Sequence, residues 1–375
     1  GVARQRHTAT KLSDGRVLVV GGLGSVALSG AEIYDPAGNA GLGAWSSTAS
    51  LGTARYNHRA VLLQDGKVLI CGGDTGGGSL VSAELFDPAG SGGTGLFSAA
   101  PSMATARQLH TATALSDGRV LVTGGSGPLS SAEIFNPAGA GSWSATGALT
   151  EARAFHSATL LSSGKVLIAG GQNASSSPIS TAELFDATAN AGVGAFVATD
   201  AMTTGRYLHT ETLLQNGKVL IAGGFNPGFF PSAELYDPVL ESFSLAASMS
   251  RERTEHRAVM LGNGKVLVAG CHDGSFASVE LFSSDGNNGL GTWSATSSMT
   301  TARTEHTCTL LDDGRVLVAG GFASGNLSSV ELYDPRAEPT AQAVVVNTST
   351  PLSITLQATS IGDPLSFAVL TQPLN

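Results

Sequence analysis

Basic residues are few in this chain: 20 Lys and Arg stand against 29 Asp and Glu, a formal net charge of −9 over 375 residues. Nucleic acid and anionic membrane are therefore excluded as partners, since both need clustered cations to displace counterions. Cysteine is scarcer still. Cys71, Cys271 and Cys308 are far apart with no CxxC, so neither a disulfide framework nor a zinc site is expected, and each is read as a small buried hydrophobe. Long apolar runs are missing too. Stretches such as Val17 to Val20 fall far short of the roughly 20 residues a spanning helix requires, so no membrane insertion is expected. Gly1 begins in mid-pattern, which implies a leader removed or never included. Glycine, by contrast, is abundant. With 49 glycines and only 13% charged residues, the composition suits many short strands joined by tight turns.

One unit recurs seven times, marked by His7, His58, His110, His156, His209, His256 and His306. Three residues before each stands an arginine: Arg4, Arg55, Arg107, Arg153, Arg206, Arg253 and Arg303. After the histidine comes a short segment (strand a), a turn such as Asp14-Gly15 or Asn216-Gly217, and an apolar run (strand b) that ends in Gly-Gly in six units. Two turn residues of this kind predict a type I′ hairpin, where both positions need φ > 0. A loop of variable length then leads to A-E-x-[YF]-D-P or a relative (strand c), with Glu32, Glu84, Glu133, Glu183, Glu234, Glu280 and Glu331 in register. Finally Trp45, Phe97, Trp143, Phe196, Phe243 or Trp293 marks strand d. Four short strands in each period, with no competing helical pattern, predict a propeller blade.

The Gly-Gly doublets, the [YF]-D-P step, the spaced aromatic and the R-x-x-H together resemble the kelch family, in particular its secreted bacterial branch and the propeller of galactose-oxidase-like proteins. The resemblance runs from about Arg4 to about Pro335. It is weakest in the sixth unit, which has Gly270-Cys271 and Phe282-Ser283-Ser284. It implies an all-β, seven-bladed propeller over 1–339 and a secreted or cell-surface location, the chain being a monomer within a larger multidomain protein. The seventh unit has no strand d aromatic. Residues upstream of Gly1, or Ala341 to Val346, are expected to supply that strand. From 340 to 375 the composition turns β-branched and resembles the start of a cadherin-like or immunoglobulin-like module, truncated well below the roughly 100 residues such a sandwich needs.

Seven histidines invite a metal hypothesis, since imidazole is the commonest neutral ligand. One copy per blade is instead what a structural rule looks like, because a ring holds equivalent positions apart. Arg55, His58, Glu84, Arg107, His110, Glu133 and their equivalents are accordingly read as fasteners, with no metal and no cofactor. Galactose-oxidase-like enzymes use tyrosine and histidine copper ligands, one tyrosine cross-linked to cysteine, with an adjacent Tyr-His pair at the head of a repeat. No such pair exists here, and Tyr56 and Tyr207 fall one residue too early. G-x-S-x-G, H-E-x-x-H and P-loop patterns are likewise missing.

Propeller geometry, as the resemblance implies it, gathers the b-to-c and d-to-a loops on one face, where variation within a strict repeat can build selective contacts. Arg6, Tyr56, Gln108, Phe155, Tyr207, Glu255 and Glu305 lie one or two residues before the repeated histidines, and the b-to-c loops add Asp74, Phe225, Phe229, Phe230, His272 and Asp273. For the Phe225 to Phe230 loop, packing over a neighbouring blade is the first explanation and a binding patch the second. The expected function is a non-catalytic extracellular module that binds glycan or protein through this face; the alternative is a carbohydrate-active enzyme related to galactose-oxidase-like propellers. An aromatic and carboxylate cluster at the channel mouth would favour glycan, and flat polar loops would favour protein.

Overall fold

The computed structural model describes residues 1–41, 43–272 and 276–336. They form seven antiparallel sheets around one axis, a seven-bladed β-propeller. Blade 1 sets the rule. Its strands a to d are Thr8–Lys11, Val17–Val20, Ala31–Asp35 and Ala44–Ser47, hydrogen-bonded in chain order from the axis outwards. Blades 2 to 6 repeat the four strands; blade 7 shows three, Thr307–Leu310, Val316–Ala319 and Val330–Tyr333. Ala341 to Val346, and with them the whole of 340–375, lie outside the described residues.

Strand b is a continuous apolar run because it is buried on both faces. Its alternating side chains enter two different cores: Leu18 and Val20 pack with Val68, Ile70 and Phe86 of blade 2, whereas Val17 and Val19 pack with Leu317 and Ala319 of blade 7. Each fully buried Val, Leu or Ile contributes about 1.5–3 kcal/mol. Closure therefore comes from the same inter-blade core as every other joint. Strand d is pinned by an aromatic pair with strand c, Tyr34 with Trp45 in blade 1 and Phe86 with Phe97 in blade 2, ring centres 5.1 and 4.9 Å apart.

The a-to-b hairpins are not type I′. In all seven the amide of the glycine bonds back three residues (Gly15 to the Leu12 carbonyl, 3.1 Å) and the loop closes between Leu12 and Arg16 (2.7 Å). Only the glycine has positive φ, +86° at Gly15. This is a type I turn followed by a left-handed bulge residue, a three-residue loop. The residue before the glycine serves another purpose: Asp14 Oδ1 accepts from the Arg16 amide at 3.1 Å, and the other six units do the same with Asp, Asn or Ser.

Each repeated arginine is buried and donates through Nη1 to the carbonyl of the first doublet glycine of its own blade, at 2.6–2.9 Å. Its Nη2 meets the strand c glutamate at 2.6–3.0 Å. The carboxylate also takes backbone amides of the incoming d-to-a connection, as Glu84 does from Gly52 at 2.7 Å. The arginine carbonyl meanwhile accepts from the second doublet residue of the preceding blade. Gly22 bonds Arg55, and Gly321 of blade 7 bonds Arg4 of blade 1, at 2.9 and 2.8 Å. Doublet glycines are needed because a Cβ on the first, Gly72 for example, would lie 2.6 Å from the imidazole of His110 in the next blade. In blade 6 the first glycine is kept as Gly270 and only the second is replaced, by Cys271, whose bond to the Arg303 carbonyl stretches to 3.3 Å.

Candidate functional site

The d-to-a connection meets the b-to-c loop on one face, where Tyr56 pairs with Asp74, Tyr207 with Phe225 and Thr304 with Phe322 as short antiparallel bridges. The positions one and two before each histidine separate here into two tiers. Those one before, Arg6, Asn57, Leu109, Phe155, Leu208, Glu255 and Glu305, all have left-handed backbone, φ from +52° to +59°. Their peptides join blade to blade (Asn57 amide to Arg6 carbonyl, 3.2 Å; Arg6 amide to Glu305 carbonyl, 3.2 Å), six links in all. This belt rims a cavity of about 260 Å³ on the axis. The positions two before, including Tyr56, Gln108 and Tyr207, form an outer tier against the b-to-c loops.

The rim is not uniform. Over blades 2 and 3 it is polar: Gln108 Nε2 donates to Asp74 Oδ2 at 2.6 Å and Asn57 Nδ2 to Gln108 Oε1 at 3.2 Å. Asp74 is buried, and its other oxygen takes the amides of Gly76 and Gly78. Burial and then Asp74 raise the Tyr56 hydroxyl above the usual tyrosine range. Over blades 4 to 6 an aromatic arc runs outwards: Phe155 to Tyr207, Tyr207 to Phe225, Phe225 to Phe229 and Phe229 to His272, ring centres 5.9, 5.3, 5.6 and 5.1 Å apart. Phe229 remains 43% exposed. Phe230 leaves this group and stacks on Arg206, its centre 4.8 Å from the guanidinium carbon.

Acidic groups complete the rim over blades 6 and 7. Arg6 Nε donates to Glu305 Oε1 at 2.6 Å, and His272 Nδ1 lies 2.9 Å from Glu255 Oε2. Burial, reinforced by Glu255, raises the Glu305 carboxyl above its usual range despite Arg6. Asp273 lies outside the described residues. The structure thus brings together all the other anticipated rim residues save Phe230.

Below the rim the histidines are buried, His209 half-buried, and in five units Nε2 pairs with a hydroxyl at the head of the preceding blade's strand a, as His58 does with Thr8 (2.9 Å), His209 with Ser157 (2.7 Å) and His256 with Thr210 (2.8 Å). Burial, then the neighbouring arginines, push these imidazoles far down, to about 3 for His7. They are neutral fasteners. In two blades that hydroxyl is replaced by Arg59 and Arg257, which line the cavity with the histidines. Both were missed from the sequence. The signal was present as the residue after R-x-x-H, Thr or Ser in five units and Arg in two.

No family model matches the chain, and no curated protein matches it. Among solved structures it is similar to a fungal alcohol oxidase of the AA5 family, described as catalytically diverse and solved with copper. The TM-score is 0.67 at 17% identity, over 86% of this chain and 70% of that one. At that identity the likeness speaks for the propeller fold. The donors present do not suit a tyrosine and histidine copper centre. Tyr56 and Tyr207 sit in the outer tier of blades 2 and 5, and the repeated imidazoles are held between blades. Burial pushes the Cys71 and Cys308 thiols up to about 12, and no group of three His, Cys, Asp or Glu is placed to hold a metal among the described residues.

Proposed function

We propose that the chain is an extracellular glycan-binding propeller of kelch type, with the saccharide seated at the channel mouth. The observation that carries this is the aromatic arc of Phe155, Tyr207, Phe225 and Phe229 running into a rim of carboxylates and amides. Aromatic faces stack on the apolar faces of sugar rings, while Glu255, Asn57 and Gln108 offer the donors and acceptors that sort hydroxyl patterns. A flat polar surface, which would favour a protein ligand, is not what the loops build.

Replacing Tyr207 and Phe229 with alanine is expected to weaken binding on a glycan array by about tenfold or more while leaving the melting temperature near the parent's. Replacing Phe230, which stacks on a fastener arginine, is expected to lower stability instead. Unchanged array binding by the Tyr207 and Phe229 variant would refute the proposal. The competing reading, a carbohydrate-active oxidase, is raised by the solved neighbour's activity. It predicts peroxide release from alcohol or sugar substrates once copper is supplied.

A further inference from the structure

Arg59 and Arg257 break the repeat at a cost. In five blades the residue after the histidine is Thr or Ser, and its hydroxyl meets the next blade's imidazole, except where Arg stands. With Arg59 in that place, His110 Nε2 has only the Cys71 sulfur at 3.8 Å; with Arg257 there, His306 Nε2 is buried and unpaired, as Nδ1 is in all seven units. A buried polar atom left unpaired is destabilising, so the arginines are not explained by the ring's own stability.

Nor are they explained by ionic partners among the described residues, since the bonds they make are to backbone carbonyls. Arg59 Nε donates to the His110 carbonyl at 2.7 Å and Arg257 Nε to the His306 carbonyl at 2.8 Å, which aims both forks into the cavity wall. Arg257 Nη1 has one long bond to the His256 carbonyl, 3.3 Å, and neither guanidinium forms an ion pair among the described residues. Loss of water, and then the charge of Arg257, push Arg59 down to about 10. The two cations therefore act on each other across a channel rimmed by Arg6, Glu255 and Glu305, and both acids are already engaged, by His272 and Arg6. A chain of net charge −9 thus brings two guanidinium groups without an ion pair among the described residues to its axis, where Glu305 is the acid that feels Arg257. A guanidinium fork can donate in parallel to the two oxygens of a planar carboxylate or to two oxygens of a tetrahedral sulfate.

We propose that the channel below the rim is an oxyanion subsite in which Arg59 and Arg257 hold the carboxylate or sulfate group of an acidic saccharide. The saccharide part of this rests on the glycan proposal above. Calorimetry with an oligogalacturonate and with the matching neutral oligogalactoside tests it, beside thermal unfolding in sodium sulfate against sodium chloride of equal ionic strength. In the parent the acidic oligosaccharide is expected to bind about tenfold tighter than the neutral one, and sulfate to raise Tm.

In Arg59→Thr/Arg257→Thr the preference and the sulfate shift should both vanish. Threonine restores the hydroxyl that the other blades offer histidine, so this variant is expected to fold; Arg59→Gln/Arg257→Gln provides a second test with the side-chain length kept. A variant that retains both effects overturns the subsite. Saccharide binding without charge preference, and without a sulfate shift, overturns the subsite and leaves the glycan proposal standing. A sulfate shift that depends on the two arginines, with no saccharide bound, supports the subsite and removes its sugar.

Discussion

Glu211 occupies a position held by alanine in five blades and by Cys308 in another. Strand a of blade 5 presents it to blade 4, and both carboxylate oxygens are buried without a hydrogen-bond partner. Burial raises its pKa to about 8, against contributions from Ser157 and Thr159. Between about 4.5 and 8 the folded chain keeps a proton that the unfolded chain gives up, so this residue makes stability fall as pH rises through that window. Glu211→Ala is expected to remove the fall and to stabilise the ring at pH 8 by a few kcal/mol, roughly, with a smaller gain at pH 5. Urea denaturation at the two pH values measures both. At this scale the sequence was only partly legible. The histidines, arginines and glutamates stood out because they repeat, whereas the rim residues one before each histidine share a left-handed backbone and no side-chain type. Asn57, Leu109 and Leu208 were passed over for that reason.

Among elements, the d-to-a connection is the one held by charge. Arg206 and Glu234 are both fully buried, and their 2.8 Å pair is supported by the Gly223 and Ser232 carbonyls and by the Thr203 amide. Glu234→Ala leaves an unpaired buried guanidinium and is expected to cost about 3–5 kcal/mol. The surface pair of Lys11 and Asp312, 2.6 Å apart but well exposed, is expected to cost under about 1 kcal/mol when Lys11 is replaced. Equilibrium denaturation of both variants gives the contrast. Strands a to d could be placed from sequence because burial on both faces makes strand b uniformly apolar and the [YF]-to-aromatic pair ties strand d to strand c. The turn type was misjudged because Asp-Gly and Asn-Gly serve a type I′ turn and a type I turn with a bulge equally well. Loop length between paired residues decides between them, and that appears only in the register of Leu12 against Arg16.

Across the whole molecule, seven neutral histidines make the ring sensitive to acid. Their folded pKa values lie far below 6.5, near 3 for His7 and His209, so between those limits the unfolded chain takes up protons that the folded one refuses. Stability is therefore lost as pH falls below about 6.5, by up to ~2 kcal/mol per histidine at pH 5. Circular dichroism across pH 7 to 4 should show cooperative unfolding with uptake of several protons per molecule; a ring stable and unchanged at pH 4 contradicts this account. The sevenfold architecture was legible because in-register copies leave no other arrangement, but the sequence did not disclose that blades 7 and 1 join through Val17, Val19, Leu311 and Leu317 as any other pair does. The left-handed belt at the rim has a consequence for variation. Its peptides are committed to holding neighbouring blades together, so the side chains are free to change, but only within an alphabet that tolerates positive φ: Arg, Asn, Leu, Phe and Glu occur, and Val, Ile and Thr do not. The mouth is in effect a seven-letter word written on a fixed line, which selection or a designed library can respell without touching the ring that carries it.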